Sequence, residues 1–108
     1  MDSEKKEIIT TNDKGGKQSH IPARYDLLPP EAMEAVAEIL HEGAQKYSDN
    51  NWRNISRRLH INHALNHIFQ YARGDTSEQH LKHAATRLLF ALSVPEEDYP
   101  YNKIPKGK

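Results

Sequence analysis

His60-Ile61-Asn62-His63-Ala64-Leu65-Asn66-His67-Ile68-Phe69-Gln70-Tyr71-Ala72-Arg73-Gly74-Asp75-Thr76-Ser77-Glu78-Gln79-His80-Leu81-Lys82-His83-Ala84-Ala85-Thr86-Arg87 is the stretch that decides the fold. Ile61, Ala64, Leu65, Ile68 and Ala72 recur at helical spacing, with Phe69 at the edge of the stripe. Leu81, Ala84, Ala85, Leu88 and Leu92 repeat the pattern, with Leu89 at the edge. The spacing predicts helices from about Ser56 to Arg73 and from about Ser77 to Val94. Gly74-Asp75 is the stop between them, Ser77 can cap the second, and Pro95 ends it. So short a link forces an antiparallel helix hairpin. Helical phase then puts His60, His63 and His67 on one face, and His80, His83 and Arg87 on the equivalent face of the next helix.

Upstream, Pro29-Pro30-Glu31 suits a first helical turn, where proline costs no hydrogen bond and an acid meets the positive end of the dipole. Met33, Val36, Ala37, Leu40, Ala44 and Tyr47 form its expected apolar stripe. Gly43 interrupts this helix at a cost of roughly 1 kcal/mol relative to alanine, which fits a close approach to the backbone. The helix should end near Ser48-Asp49-Asn50-Asn51. No segment alternates with strand period, so no sheet is expected. The fold class is all-α: a small helical bundle with an antiparallel C-terminal hairpin. Residues 1–23 read as a flexible arm, 24–94 as the helical domain, and 95–108 as a Pro-rich tail.

Composition narrows the function. Fifteen basic and 15 acidic residues in 108 balance, which argues against a dedicated nucleic-acid coat. There is no cysteine, so disulfides and thiolate metal sites are excluded. No apolar run approaches the roughly 18 residues of a membrane span, and Met1-Asp2-Ser3-Glu4 lacks a signal-peptide core. A cytoplasmic protein is expected. With 36% hydrophobic residues the core is small, so a second copy is expected to complete the apolar faces.

Three constellations can carry chemistry. Glu31, Glu34 and Glu38 share a helix face, as carboxylates that bind Mg²⁺ or Mn²⁺ would; a solvated acidic face gives the same pattern. Five of the 7 histidines lie on the hairpin faces, where they suit a transition metal, phosphate contact with Arg87, or simply a polar outer surface. Lys46-Tyr47-Ser48-Asp49-Asn50-Asn51-Trp52-Arg53 combines cations, aromatics and amides at a helix exit. Such a set can stack a base, read its edge and meet phosphate, or pack Trp52 into the core. There is no P-loop, no Ser-His-Asp motif and no HExxH.

A family resemblance joins these pieces. Arg24-Tyr25-Asp26-Leu27-Leu28-Pro29-Pro30-Glu31 looks like an opening segment, preceded by Gly15-Gly16-Lys17. Gly43-Ala44-Gln45-Lys46-Tyr47 with Asn51-Trp52 is similar to the signature of phage dATP/dGTP diphosphohydrolases of the MazG-like group. Asn66-His67, Arg73-Gly74-Asp75 and His80-Leu81-Lys82-His83-Ala84 resemble its later motifs, so the likeness runs over about residues 13–94. The resemblance implies an all-α, Mg²⁺-dependent enzyme of phage origin, a dimer or tetramer. It would split a deoxypurine nucleoside triphosphate into a monophosphate and pyrophosphate. Lys46, His80 and His83 would be catalytic and Lys17, Arg24, Tyr47, Asn51, Trp52, His67 and Arg87 nucleotide-binding. Glu31, Glu34 and Glu38 would hold Mg²⁺ (or Mn²⁺), with Asp75 or Glu78 completing the shell.

The sequence departs from the family in places. Only Asp75-Thr76-Ser77-Glu78-Gln79 stands where a longer acidic insert is usual, Asn66 replaces an arginine, and Arg87 stands where an amide is common. A nucleotide-sequestering binder without catalysis, and a purely structural helical oligomer, are the alternatives. Neither membrane nor nucleic acid is an expected partner.

Overall fold

Pro30 takes the first position of the first helix, α1 (Pro30–Lys46), with Pro29 extended before it. Ser56 caps the second, α2 (Arg57–Ala72), its hydroxyl accepting from the Leu59 amide at 3.3 Å. Gly74, at φ +90°, closes α2: its N–H bonds the Tyr71 carbonyl and the Asp75 N–H reaches back to Gln70. The third helix, α3, spans His80–Ser93 and stops before Pro95. The computed structural model describes residues 7–96, so the tail expected at 95–108 lies outside it from residue 97 onward.

Two expectations are corrected. Residues 9–11 and 17–19, read as unstructured, form a short antiparallel pair, β1 (Ile9–Thr11) and β2 (Lys17–Ser19), with Thr10 opposite Gln18. Asn12 makes the turn: its side-chain oxygen accepts from the amides of Lys14 and Gly16, and Gly15 supplies a φ of +83°. Ser77 does not cap α3. Its hydroxyl donates to the Asp75 carboxylate at 2.7 Å, and Gln79 precedes the helix without a side-chain cap bond.

The helices pack by faces the apolar stripes only partly anticipate. α2 and α3 make the most extensive helix contact, and α1 rests on α3. Rising numbers on α2 meet falling numbers on α3: Arg57 donates to the Val94 carbonyl, Arg87 meets His60, and His80 meets His67. The seam is built on small residues and imidazoles. Ala64 and Ala84 are buried, as are His60, His80 and Thr86. On α1, Val36 is buried while Met33 and Leu40 are exposed. Ala35, Ile39, Gly43 and Ala44 are half-buried, so its inner face is turned from the expected stripe toward 35, 39 and 43. Leu65, Ile68, Phe69, Leu88 and Leu92 stay outside, Leu92 at 78% exposure. Turning the histidine faces inward leaves these apolar positions uncovered. Among the described residues no helix is long and apolar enough to cross a membrane.

Candidate functional site

A cavity of about 640 Å³ lies between the end of α1, the loop after it, and the facing sides of α2 and α3. That volume falls in the range of about 300–1,000 Å³ typical of small-molecule sites. α1 contributes Glu42, Gly43 and Lys46, and Tyr47 follows. The loop contributes Ser48, Asp49, Asn50 and Asn51. The seam contributes His60, His63, Asn66 and His67 from α2, and His83, Arg87 and Phe90 from α3, with Glu78 just before α3. Five of the six side chains that helical phase grouped on two faces meet: His60 with Arg87, and His67 with His80 and His83.

The loop owes its shape to Asn50, which adopts the left-handed conformation at φ 61° and leads into a 3-10 turn at Asn51–Asn54. Asparagine tolerates that region better than most residues. The turn sets Trp52 flat on Phe90, ring centres 4.4 Å apart and planes within 4°. The Arg53 guanidinium lies 4.2 Å from the Trp52 ring. Trp52 also lines the cavity. Tyr47 lines it at 64% exposure, with Lys46 Nζ 5.3 Å from its ring centre.

His60 is the buried junction of the site. Arg87 Nη1 donates to His60 Nδ1 at 3.1 Å, because a guanidinium has no acceptor. His60 Nε2 therefore carries the proton and donates to the Trp52 carbonyl at 2.9 Å. Burial holds His60 below the ordinary histidine range, partly offset by the Trp52 carbonyl and reinforced by the charges of Arg87 and His63. His63 is lowered by burial and by Arg87. His67 is lowered by burial and then by His83, against a raising influence from Glu78. Burial also lowers Arg87, which keeps its charge at any working pH. Among the described residues no ion pair joins Arg87 to a carboxylate.

A second cluster sits at the other end of the seam. His67 Nδ1 and His80 Nδ1 are 2.8 Å apart, and His67 stacks on His83 with ring centres 4.9 Å apart. Asp75 accepts from both His80 Nε2 and the Ser77 hydroxyl, and these bonds, His80 first, hold its carboxyl below the usual range.

The other expected residues lie elsewhere. Lys17 is on β2 and Arg24 is paired with Asp26 through two hydrogen bonds of 2.9 and 2.7 Å; neither lines the cavity. Glu31, Glu34 and Glu38 also lie outside the lining, and Glu38 pairs with Lys82 at 2.9 Å. Mg²⁺ keeps several of its waters and is commonly held by one or two carboxylates together with substrate phosphates. Among the described residues the three glutamates are not drawn together into one tight group of metal-ligating side chains. The acids that do reach the cavity are Glu42, Asp49 and Glu78. Glu42 and Phe90 had no assigned role in the sequence. The spacing of Glu42 from Lys46 was the available signal for the former, whereas Phe90 falls off the apolar stripe and gave none.

The family described as dATP/dGTP diphosphohydrolase, N-terminal, matches residues 12–103. The chain belongs to this family. The match takes in the whole cavity lining, from Ile39 to Phe90, so the site of this diphosphohydrolase N-terminal family member is family territory throughout. No curated protein and no solved structure matches the chain.

Proposed function

We propose that the cavity binds a deoxypurine nucleoside triphosphate and hydrolyses it to the monophosphate and pyrophosphate. The observation that carries this is Arg87. A guanidinium taken partly out of water without a carboxylate partner is costly unless an anion arrives. His60 holds one of its N–H groups, and the remaining donors are left for phosphate oxygens. Lys46 and His83, also in the lining, add donors around the same volume. The exposed ring of Tyr47 is the platform for the base, and the amides of Asn50, Asn51 and Asn66 can read its edge. Trp52, also in the lining, stacks on Phe90 and so anchors the loop to α3. In the transition state Lys46, His83 and Arg87 offset the charge gathering on the phosphate oxygens. The family's name supports this substrate class.

The antiparallel arrangement of α2 and α3 is part of this reading, since it is what brings His60 to Arg87. Self-association is part of it too. Leu65, Ile68, Leu88 and Leu92 form an apolar exterior that a second copy would cover.

A non-catalytic nucleotide binder is the second reading, favoured by one feature: Glu42, Asp49 and Glu78 come from separate segments and do not converge on one point. Titration with non-hydrolysable α,β-methylene dATP and dGTP tests the shared part of both. Binding by the native chain that weakens at least tenfold in Arg87→Ala supports the site. Equal affinity in the two proteins rejects it.

A further inference from the structure

We propose that His67, His80 and Glu78 form a binding site for an imidazole-seeking divalent transition ion such as Zn²⁺ or Co²⁺. The inference stands on the geometry of these side chains and does not require the nucleotide reading.

His67, Glu78 and His80 each offer a ligand atom, and the three lie within 4.8 Å of one another. Ligands of one such ion sit about 2.0–2.2 Å from it. Their mutual spacing is then on the order of 3 Å. The two imidazole nitrogens, 2.8 Å apart, are already near that spacing. Glu78 is exposed, so its side chain can close the remaining gap without disturbing the seam.

The surroundings fix the ligand atom. Asp75, a carboxylate, can only accept from His80 Nε2, so the proton of a neutral His80 sits there. The lone pair of His80 is then on Nδ1, aimed at His67. A carboxylate behind a metal-bound histidine orients the ring and raises its basicity in just this way. Ser77 in turn donates to Asp75, so the supporting residue is itself held at 2.7 Å. Without a metal the two Nδ1 atoms share one proton. With a metal both lone pairs are used.

The donor set also selects the ion. Two imidazoles and one carboxylate suit Zn²⁺, Co²⁺ or Ni²⁺, whereas Mg²⁺ prefers oxygen throughout. Three protein ligands leave a coordination position open. His67 and Glu78 both line the cavity, so that position faces the proposed ligand space.

The test uses untagged, EDTA-stripped full chain without nucleotide. Co²⁺ is followed by visible absorption and Zn²⁺ by calorimetry. The expected result is one ion per chain, with affinity at least tenfold weaker in both Glu78→Gln and His67→Gln, and no displacement by millimolar Mg²⁺. Glu78 is exposed, so its variant retains the fold, checked by circular dichroism. Absence of binding, or binding that survives both substitutions, overturns the proposal. Ion binding by a chain that forms no product from nucleotide under any divalent ion, in a separate assay, leaves the metal site standing.

Discussion

Arg87 and His60 are joined at 3.1 Å across the seam of α2 and α3, and the same imidazole holds the Trp52 carbonyl at 2.9 Å. One buried ring thus ties the proposed anion ligand to the loop that shapes the cavity. The direction of both bonds follows from Arg87 being donor-only. His60 is therefore neutral with its proton on Nε2, and protonating Nδ1 would break its bond to Arg87.

This linkage makes Arg87 testable apart from overall folding. Charge-assisted hydrogen bonds contribute about 1.5–3 kcal/mol, so Arg87→Ala should weaken nucleotide affinity roughly tenfold to a hundredfold. The difference between native and variant should shrink at high salt, because ions screen the phosphate contact. Arg87→Lys should restore only part of the affinity, since an ammonium cannot bond His60 and phosphate with the same fork. Calorimetric titration at low and high salt checks all of this; a salt-independent difference contradicts it.

Gly43 lies in the cavity wall within α1, and a Cβ placed there would meet nothing within 4 Å. The close approach expected from the sequence is therefore not made by any described protein group. Gly43→Ala should stabilise α1 by about 1 kcal/mol and raise the melting temperature. It should also reduce nucleotide affinity, because the added methyl projects into ligand space. A variant that gains stability and keeps full affinity would place the ligand away from this wall.

Acid should destabilise the fold in a defined window. Burial holds His60, His63 and His67 below the ordinary value of 6.5. In that window the unfolded chain binds more protons than the folded one, so stability rises with pH. The contribution is fully present above about pH 6.5 and is lost as pH falls from there through the depressed folded values. Urea midpoints measured across this range should drop on acidification. A midpoint that climbs as pH falls through 6.5 would contradict the neutral state of these rings in the folded chain.

Much of this was legible in the sequence, and the misses have physical causes. Period 3.6 located all three described helices, and Ser56, Gly74 and Pro95 marked ends that the structure keeps. Phase alone also grouped His60, His63 and His67 on one face and His80, His83 and Arg87 on the equivalent face of the next helix. What periodicity could not tell was which face turns inward. Of the expected apolar stripes Ala64 and Ala84 are buried in the seam, but hydrogen-bonded imidazoles share it, and Leu88 and Leu92 stay outside. The pair β1 and β2 escaped because its strands are short and almost wholly exposed, so they carry no alternating burial pattern. Its real signal was turn chemistry at Asn12 and Gly15. Phe90 escaped because its partner Trp52 is distant in sequence.

The uncovered leucines make self-association measurable. Light scattering at micromolar concentration should give at least a dimer mass. A charged residue in the middle of the exterior, as in Leu88→Asp, should shift it toward monomer while circular dichroism stays helical. A native monomer contradicts the expectation.

The most direct test of the central claim is product analysis. The native chain is incubated with dATP or dGTP and a divalent ion, Mg²⁺, Mn²⁺ and Co²⁺ in separate reactions, and products are separated by anion-exchange chromatography. A deoxynucleoside monophosphate and pyrophosphate should form in equal amounts, with formation strongly reduced in Arg87→Ala. Tight binding without product, under every ion, would contradict hydrolysis and leave a nucleotide binder; neither binding nor product would reject the cavity as a nucleotide site.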